Sequence, residues 1–302
     1  MRFLEETRHK RSHGDDVAKL KWLHRYFGDL HLDEVTPDAI GQVRTALFAG
    51  KGPKGGSTDG TVNKYLALIR SILRKADREW AWLEKAPYIK LASSRPRAEP
   101  FRWLTPEKAR KLLEALEDKG LHHTADMARL SLATGLRQAN VTGLCWDSVD
   151  LSRQVAWVSS TASKSGYAIS VPLNDEALHV LDRWRLKHPE RVFVLDGKPV
   201  TKVSTRAWRN VLKSLGLRPH PGRHPENFCW HDLRHTWASW HVMAGTPLEV
   251  LQKLGGWRTI DMVLRYAHLA PGHIAAYSRN ISGPNLAQIE GGKLALPETR
   301  AT

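Results

Sequence analysis

Between residues 93 and 103 the sequence reads SSRPRAEPFRW, with two prolines, three arginines and no apolar period. Such a stretch can neither continue a helix nor alternate as a strand, so it reads as a linker between two separately packed bodies. The 302 residues are long enough to give each side its own core. Residues 1–92 are expected to form one domain, 93–103 the linker and 104–281 a second domain. Residues 282–302 then form a carboxyl-terminal tail.

Hydrophobic spacing defines what each body contains. Val17, Leu20 and Leu23 share a helical stripe, and Thr36-Pro37 supplies a cap and a first-turn proline ahead of Ile40, Val43 and Leu47. A Gly/Lys/Ser loop follows. Val62, Tyr65, Leu66, Ile69, Ile72 and Leu73 then repeat at 3.6-residue spacing, with Arg70, Arg74, Lys75 and Arg78 off the stripe, either on a solvated face or against phosphates. Beyond the linker, Thr105-Pro106 opens a helix with Ala109, Leu112, Leu113 and Leu116 inward, and another runs from about Thr124 to a stop at Gly135. The period then drops to two: QVAWVSS and YAISVPL flank TASKSG, a β-hairpin pattern. Helices are expected again over Asn174–Lys187 and Lys202–Leu215, and Thr246-Pro247-Leu248-Glu249 has the form of a capping box. The fold class is mainly α with a small antiparallel β-sheet, the second domain being α+β.

Charge narrows the partners. The chain carries a formal net charge of +15, with 17 Lys/Arg against 12 Asp/Glu in residues 1–92 and 29 against 19 in the rest. Both bodies are therefore suited to a polyanion. No run of about 18 apolar residues offers a membrane span, and no segment joins a basic face to a lipid-facing aromatic stripe. Two cysteines, Cys145 and Cys229, are too few for a disulfide framework or a four-cysteine zinc site. The charged opening MRFLEETRHKRSHGDD lacks the apolar core of a signal peptide, so a cytoplasmic address is expected.

The stretch WHDLRHTWASWH, residues 230–241, sets His231 and His235 one helical turn apart, the spacing of a zinc-binding helix. Arg234 between them argues against a dication, and no acid completes the zinc motif. A histidine and an arginine three residues apart instead suit an anion whose oxygens must be held while a proton moves.

Four separated segments resemble the tyrosine recombinases, or phage integrases, in that family's order: ATGLRQANVTGLCW around Arg137, SKSGYAISVPL around Lys164, HDLRH from His231 to His235, and LGGWRTIDMVLRYAH ending in Tyr266 and His268. TVNKYLALIRSILRKADREWAWL is similar to the family's core-DNA-binding helices, which makes residues 1–92 the helical core-binding domain and residues 104–281 the catalytic one. The resemblance implies a two-domain clamp on double-stranded DNA. It also implies a site-specific recombinase that cleaves and rejoins strands through a 3′-phosphotyrosyl bond and a Holliday junction, two protomers per site and four per synapse. It requires no cofactor or metal. DNA-bending or excision proteins are candidate partners, and the address is nucleoid-associated in a bacterial or phage-encoded setting.

Residue by residue, the resemblance assigns Arg137 and Arg234 to the non-bridging phosphate oxygens, Tyr266 to nucleophilic attack, His231 to proton transfer with the tyrosine and Lys164 to protonation of the leaving 5′-oxygen. Trp257 stands where most members have histidine; its indole can donate to phosphate and its ring exclude water. Asn140 stands where an acidic residue is common, which weakens the electrostatic anchoring of Arg137. His235, His268, His241 and Cys229 are read as supporting or packing residues. A type IB topoisomerase and an inactive DNA-binding protein of the same fold are the alternatives. Leu286, Ile289, Leu294 and Leu296 give the tail apolar anchors for a neighbouring protomer, which favours the recombinase, and loss of the tail is expected to impair synapsis more than DNA binding. The 14 residues before Asp15 are too few for a separate arm-binding domain.

Overall fold

The computed structural model describes residues 2–53, 55, 57–91, 102–159, 168–203, 205–217 and 227–269. The chain divides into two compact units, Met1–Ala98 and Glu99–Thr302.

The first unit is helical: α1 (Arg2–Glu6), α2 (His13–Phe27), α3 (Pro37–Phe48) and α4 (Asp59–Arg78). The hydroxyl of Thr36 accepts from the Ala39 N–H and that of Thr58 from the Thr61 N–H, each satisfying an orphan donor of a first turn. The α4 stripe is buried at Val62, Tyr65, Leu66, Ile69 and Leu73 against Ile40, Val43 and Leu47 of α3. Helix α1 was not expected from so charged a segment. Distant contacts hold it: Glu6 accepts from Lys75 Nζ and from Trp80 Nε1, both at 2.9 Å. Lys75 is thus engaged, whereas Arg70, Arg74 and Arg78 line a shallow surface groove and form no ion pair among the described residues.

In the second unit α5 (Pro106–Asp118) and α6 (His122–Thr134) pack together, and α6 also meets α8 (Asp175–Trp184) and α10 (His231–Met243). Short α7 (Gln138–Thr142) leads to a sheet of β1 (Val149–Asp150), β2 (Val155–Val158) and β3 (Ile169–Pro172), antiparallel in that order, with Trp157 opposite Ser170. The turn of that hairpin, and Lys164 within it, lies outside the described residues. A second hairpin, β4 (Val194–Leu195) and β5 (Lys198–Pro199), turns through Asp196 and Gly197, both at positive φ. An Asp-Gly pair between short apolar runs is the signal for that turn and was passed over in the spacing. Helix α8 stops at Trp184, short of Lys187, because Leu186 takes a left-handed backbone (φ 64°) and stands 94% exposed. Helix α9 spans Arg206–Ser214, capped by Thr205, and α11 (Leu248–Gly255) and α12 (Asp261–Leu264) complete the unit.

The expected capping box at Thr246 does not form. Pro247 is the N-cap of α11, and the Thr246 hydroxyl instead pairs with His241 Nδ1 at 3.0 Å. The His241 ring also lies edge-on to Trp237, 4.7 Å between centroids, which fixes the end of α10 against its neighbour. The main core runs from Leu104 to Leu233, and a smaller cluster of Trp237, Ala238, Val242, Leu251, Val263 and Tyr266 lies beyond it.

Candidate active site

Helix α10 is tied to the start of its unit through Thr236. That hydroxyl accepts from the Leu104 N–H at 3.0 Å and donates to the Asp232 carbonyl, while Trp240 Nε1 donates to the Leu104 carbonyl. The helix therefore presents its side chains from a fixed axis. Arg234, 4% exposed, donates to the carbonyls of Gly135 at 2.7 Å and Gly255 at 2.5 Å. Its guanidinium lies 4.1 Å from the centre of the Trp257 ring, a cation–π contact strengthened by desolvation.

Both carbonyls come from glycines for a steric reason. Gly135 ends α6 in the left-handed conformation (φ 67°), and a Cβ there would lie 2.3 Å from the Trp237 ring. At Gly255 a Cβ would lie 1.9 Å from the ring of Trp257. Two segments 120 residues apart thus close on one guanidinium.

Gly135 also releases the chain toward Arg137, the N-cap of α7, in extended backbone. Its Nη1 is buried with no hydrogen-bond partner among the described residues. Asn140 reaches Arg137 through the main chain, its N–H donating to the Arg137 carbonyl at 2.9 Å. Among the described residues neither Arg137 nor Arg234 forms a salt bridge, although Arg234 feels the charge of Arg137. Burial depresses both guanidiniums, Arg234 to about 9. Two desolvated cations without a carboxylate are costly unless an anion joins them.

Tyr266 follows the single turn of α12 and precedes a 3₁₀ turn at Ala267–Leu269. It is 1% exposed and packs with Trp237 and Val263, as a core tyrosine does. Its ring centre is 6.0 Å from that of Trp257, so one indole touches both the phenol and Arg234. Burial pushes the phenol up to about 12, opposed by the charges of Arg234 and Arg265. The hydroxyl is 2.6 Å from Nδ1 of His235. Burial, with the nearby charges of His231, Arg265 and Arg234, takes that imidazole down to about 3. His231, exposed at the start of α10, lies edge-on to His235 with 4.8 Å between ring centres.

The structure thus brings together Arg234, Trp257, Tyr266 and His231, with Arg137 within electrostatic range of Arg234; Lys164 is outside the described residues. Sequence reading missed one neighbour and left the other unspecific. His235, read as a supporting or packing residue, meets the phenol directly, and Arg265, not singled out, acts on both partners of that contact; RHT and RYA place each beside an assigned residue, the one signal available. His268 is exposed. Cys229 is pushed up to about 11 by burial and by Asp232, whose carboxylate accepts from the Cys229 N–H, so its thiol is unreactive at neutral pH.

These shifts have a consequence for stability. An unfolded histidine binds its proton near pH 6.5, whereas His235 in the fold resists protonation until about 3. The unfolded chain therefore holds more protons between those values, and stability falls with pH below 6.5 by about 1.4 kcal/mol per unit, roughly 2 kcal/mol by pH 5. Depressed His123 and His241 act with the same sign. Urea unfolding at pH 7 and 5 should show a smaller pH-dependent loss for His235→Asn than for the wild type; an equal loss would exclude His235 as a source.

Comparison with known proteins bears on the family and the fold. The phage integrase family model matches residues 102–273. The integrase of Salmonella phage P22 is 36% identical, the alignment covering 93% of this chain and 78% of that protein. A shufflon-specific DNA recombinase of Escherichia coli is 28% identical, over 86% of this chain and 65% of its relative's length. In fold, the chain is similar to the Tn1549 transposon integrase solved in complex with transposon right end DNA: TM-score 0.72 at 19% identity, covering 92% of this chain and 98% of that one.

Proposed function

This chain belongs to the phage integrase family and is a site-specific tyrosine recombinase, and on that premise we propose that Tyr266 is its nucleophile and that Arg137 and Arg234 hold the scissile phosphate. The observation that carries the assignment is the carboxylate-free guanidinium of Arg234 beside a buried phenol and within electrostatic reach of Arg137, whose buried Nη1 finds no acceptor among the described residues. A phosphodiester supplies what both lack. Its two non-bridging oxygens accept from the two arginines, and the bonds tighten as charge grows in the pentacoordinate transition state.

The phenol oxygen then attacks phosphorus, the bond to the 5′-oxygen breaks, and a 3′-phosphotyrosyl link and a free 5′-hydroxyl result. The phenolic proton leaves through His231, and Lys164 protonates the departing oxygen. Trp257 holds Arg234 from one side and keeps water from the new ester. Rejoining is the reverse step with another strand's hydroxyl, so the bond energy is kept.

DNA is the partner this reading requires. Arg70, Arg74 and Arg78 on α4 are proposed to meet phosphates, so that the two units grip the duplex as a clamp, with two protomers per site and four in the synapse. The family membership favours recombination over relaxation by a topoisomerase or binding without cleavage. The test uses nicked suicide duplexes tiled across the DNA flanking the coding sequence, with and without EDTA. A covalent adduct that survives EDTA and maps to Tyr266 by peptide mass spectrometry is expected. A metal-dependent product without adduct overturns the reading.

A further inference from the structure

We propose that His235 is a positioning residue for the nucleophile: its Nδ1 accepts the hydrogen of the Tyr266 hydroxyl and holds the phenol oxygen at the phosphate site. The inference rests on the assignment of Tyr266 above and adds a role for a residue to which the resemblance gives no part in the chemistry.

The geometry carries it. The Nδ1 to Oη distance is 2.6 Å across 31 residues, short for an O–H···N bond. The backbone around Tyr266 gives little constraint, with a four-residue helix before it and a 3₁₀ turn after it. The ring is seated by Val263 and Trp237, but apolar packing does not choose where a hydroxyl points. His235 does, from a helix fixed through Thr236 and Leu104. It is also the residue after Arg234, so one turn of α10 positions the phosphate-binding guanidinium and the phenol oxygen together.

The charged groups around the imidazole keep it an acceptor. His231, Arg234 and Arg265 face it, and all disfavour the imidazolium. Asp232, which acts electrostatically on Tyr266, is itself buried and held by the Cys229 N–H. A neutral imidazole accepting at Nδ1 must carry its proton on Nε2. It orients the phenol without removing its proton at equilibrium, since the two groups differ too far in basicity for that.

Two experiments decide this. Nitrogen-15 NMR of histidine-labelled wild type should show His235 as the Nε2–H tautomer with no titration down to pH 5; the Nδ1–H tautomer overturns the contact without any DNA present. In single-turnover cleavage of the nicked duplexes, His235→Leu fills the space without accepting and should slow adduct formation by about 10²-fold. His235→Asn offers an amide oxygen near the Nδ1 position and should restore most of the rate. A 5′-bridging phosphorothiolate, whose leaving group needs no proton, should not rescue His235→Leu. A wild-type rate in His235→Leu would reduce the contact to packing, a faster one would make it a store for the tyrosine, and rescue by the phosphorothiolate would move it to the leaving group. Each overturns the proposal. Absence of adduct from the wild type itself would strike at the assignment of Tyr266 and leave the NMR result standing.

Discussion

Tyr266→Phe is expected to abolish the covalent protein–DNA adduct while the protein still folds and retains DNA. The substitution removes one oxygen and leaves the ring between Trp237, Val263 and Trp257. Its structural cost is the unpaired Nδ1 of His235, about 1–3 kcal/mol for a buried acceptor. The Thr236 hydroxyl on the same helix cannot take over, because it is committed to Leu104 and to the Asp232 carbonyl. Losing the attacking atom removes the step itself, so cleavage should fall by at least about 10⁴-fold. Gel retardation should stay within a few-fold of wild type, because phosphate contacts supply most of the affinity and none is deleted. Adduct formation by the phenylalanine variant at an appreciable rate would assign the chemistry to another side chain.

How much of this was legible before the fold was known depends on the distance over which each feature is made. Thr36-Pro37 and Thr105-Pro106 declare helix starts because the cap hydroxyl and the N–H that donates to it lie three residues apart, and the stripe of α4 is local for the same reason. The Thr246 box has the same spelling and failed, because the hydroxyl found a nearer use on His241 at the end of the preceding helix. Features made across the chain were invisible. Asp126 accepts from Arg129 and Trp184 and also binds Arg183, tying α6 to α8 in a buried network that no spacing announces. In the site, the residue types were readable but not their supports: that Arg234 would be gripped by the carbonyls of Gly135 and Gly255, or that His235 would meet the phenol, follows from packing among segments up to 120 residues apart. Gly135 was read as a helix stop, and its steric debt to Trp237, like that of Gly255 to Trp257, appears in three dimensions alone.

Arg234→Lys is the sharper test of the phosphate site, because it keeps a cation and should still fail. The guanidinium makes three contacts at once, an N–H to each of two carbonyls and a face against Trp257. An ammonium has a single nitrogen and no planar face, so at least one buried carbonyl loses its donor, at about 1–3 kcal/mol of stability. The electrostatic loss is larger. Burial and the neighbouring Arg137 bring the guanidinium from 12.5 to about 9, where it remains charged at neutral pH. The same burial acts on an ammonium, whose ordinary value starts lower at about 10.4, and so brings it closer to discharge at neutral pH. The lysine variant would therefore lose charge as pH rises through the neutral range. Cleavage should drop by about 10²–10³-fold at pH 7.5, the cost of removing one transition-state donor, and recover in part toward pH 6.5. The wild type should show no such decline between pH 6.5 and 8, because Arg234 stays protonated throughout. A lysine variant with a flat pH profile and near wild-type cleavage would mean that Arg234 holds the fold at Gly135 and Gly255 and never meets the phosphate.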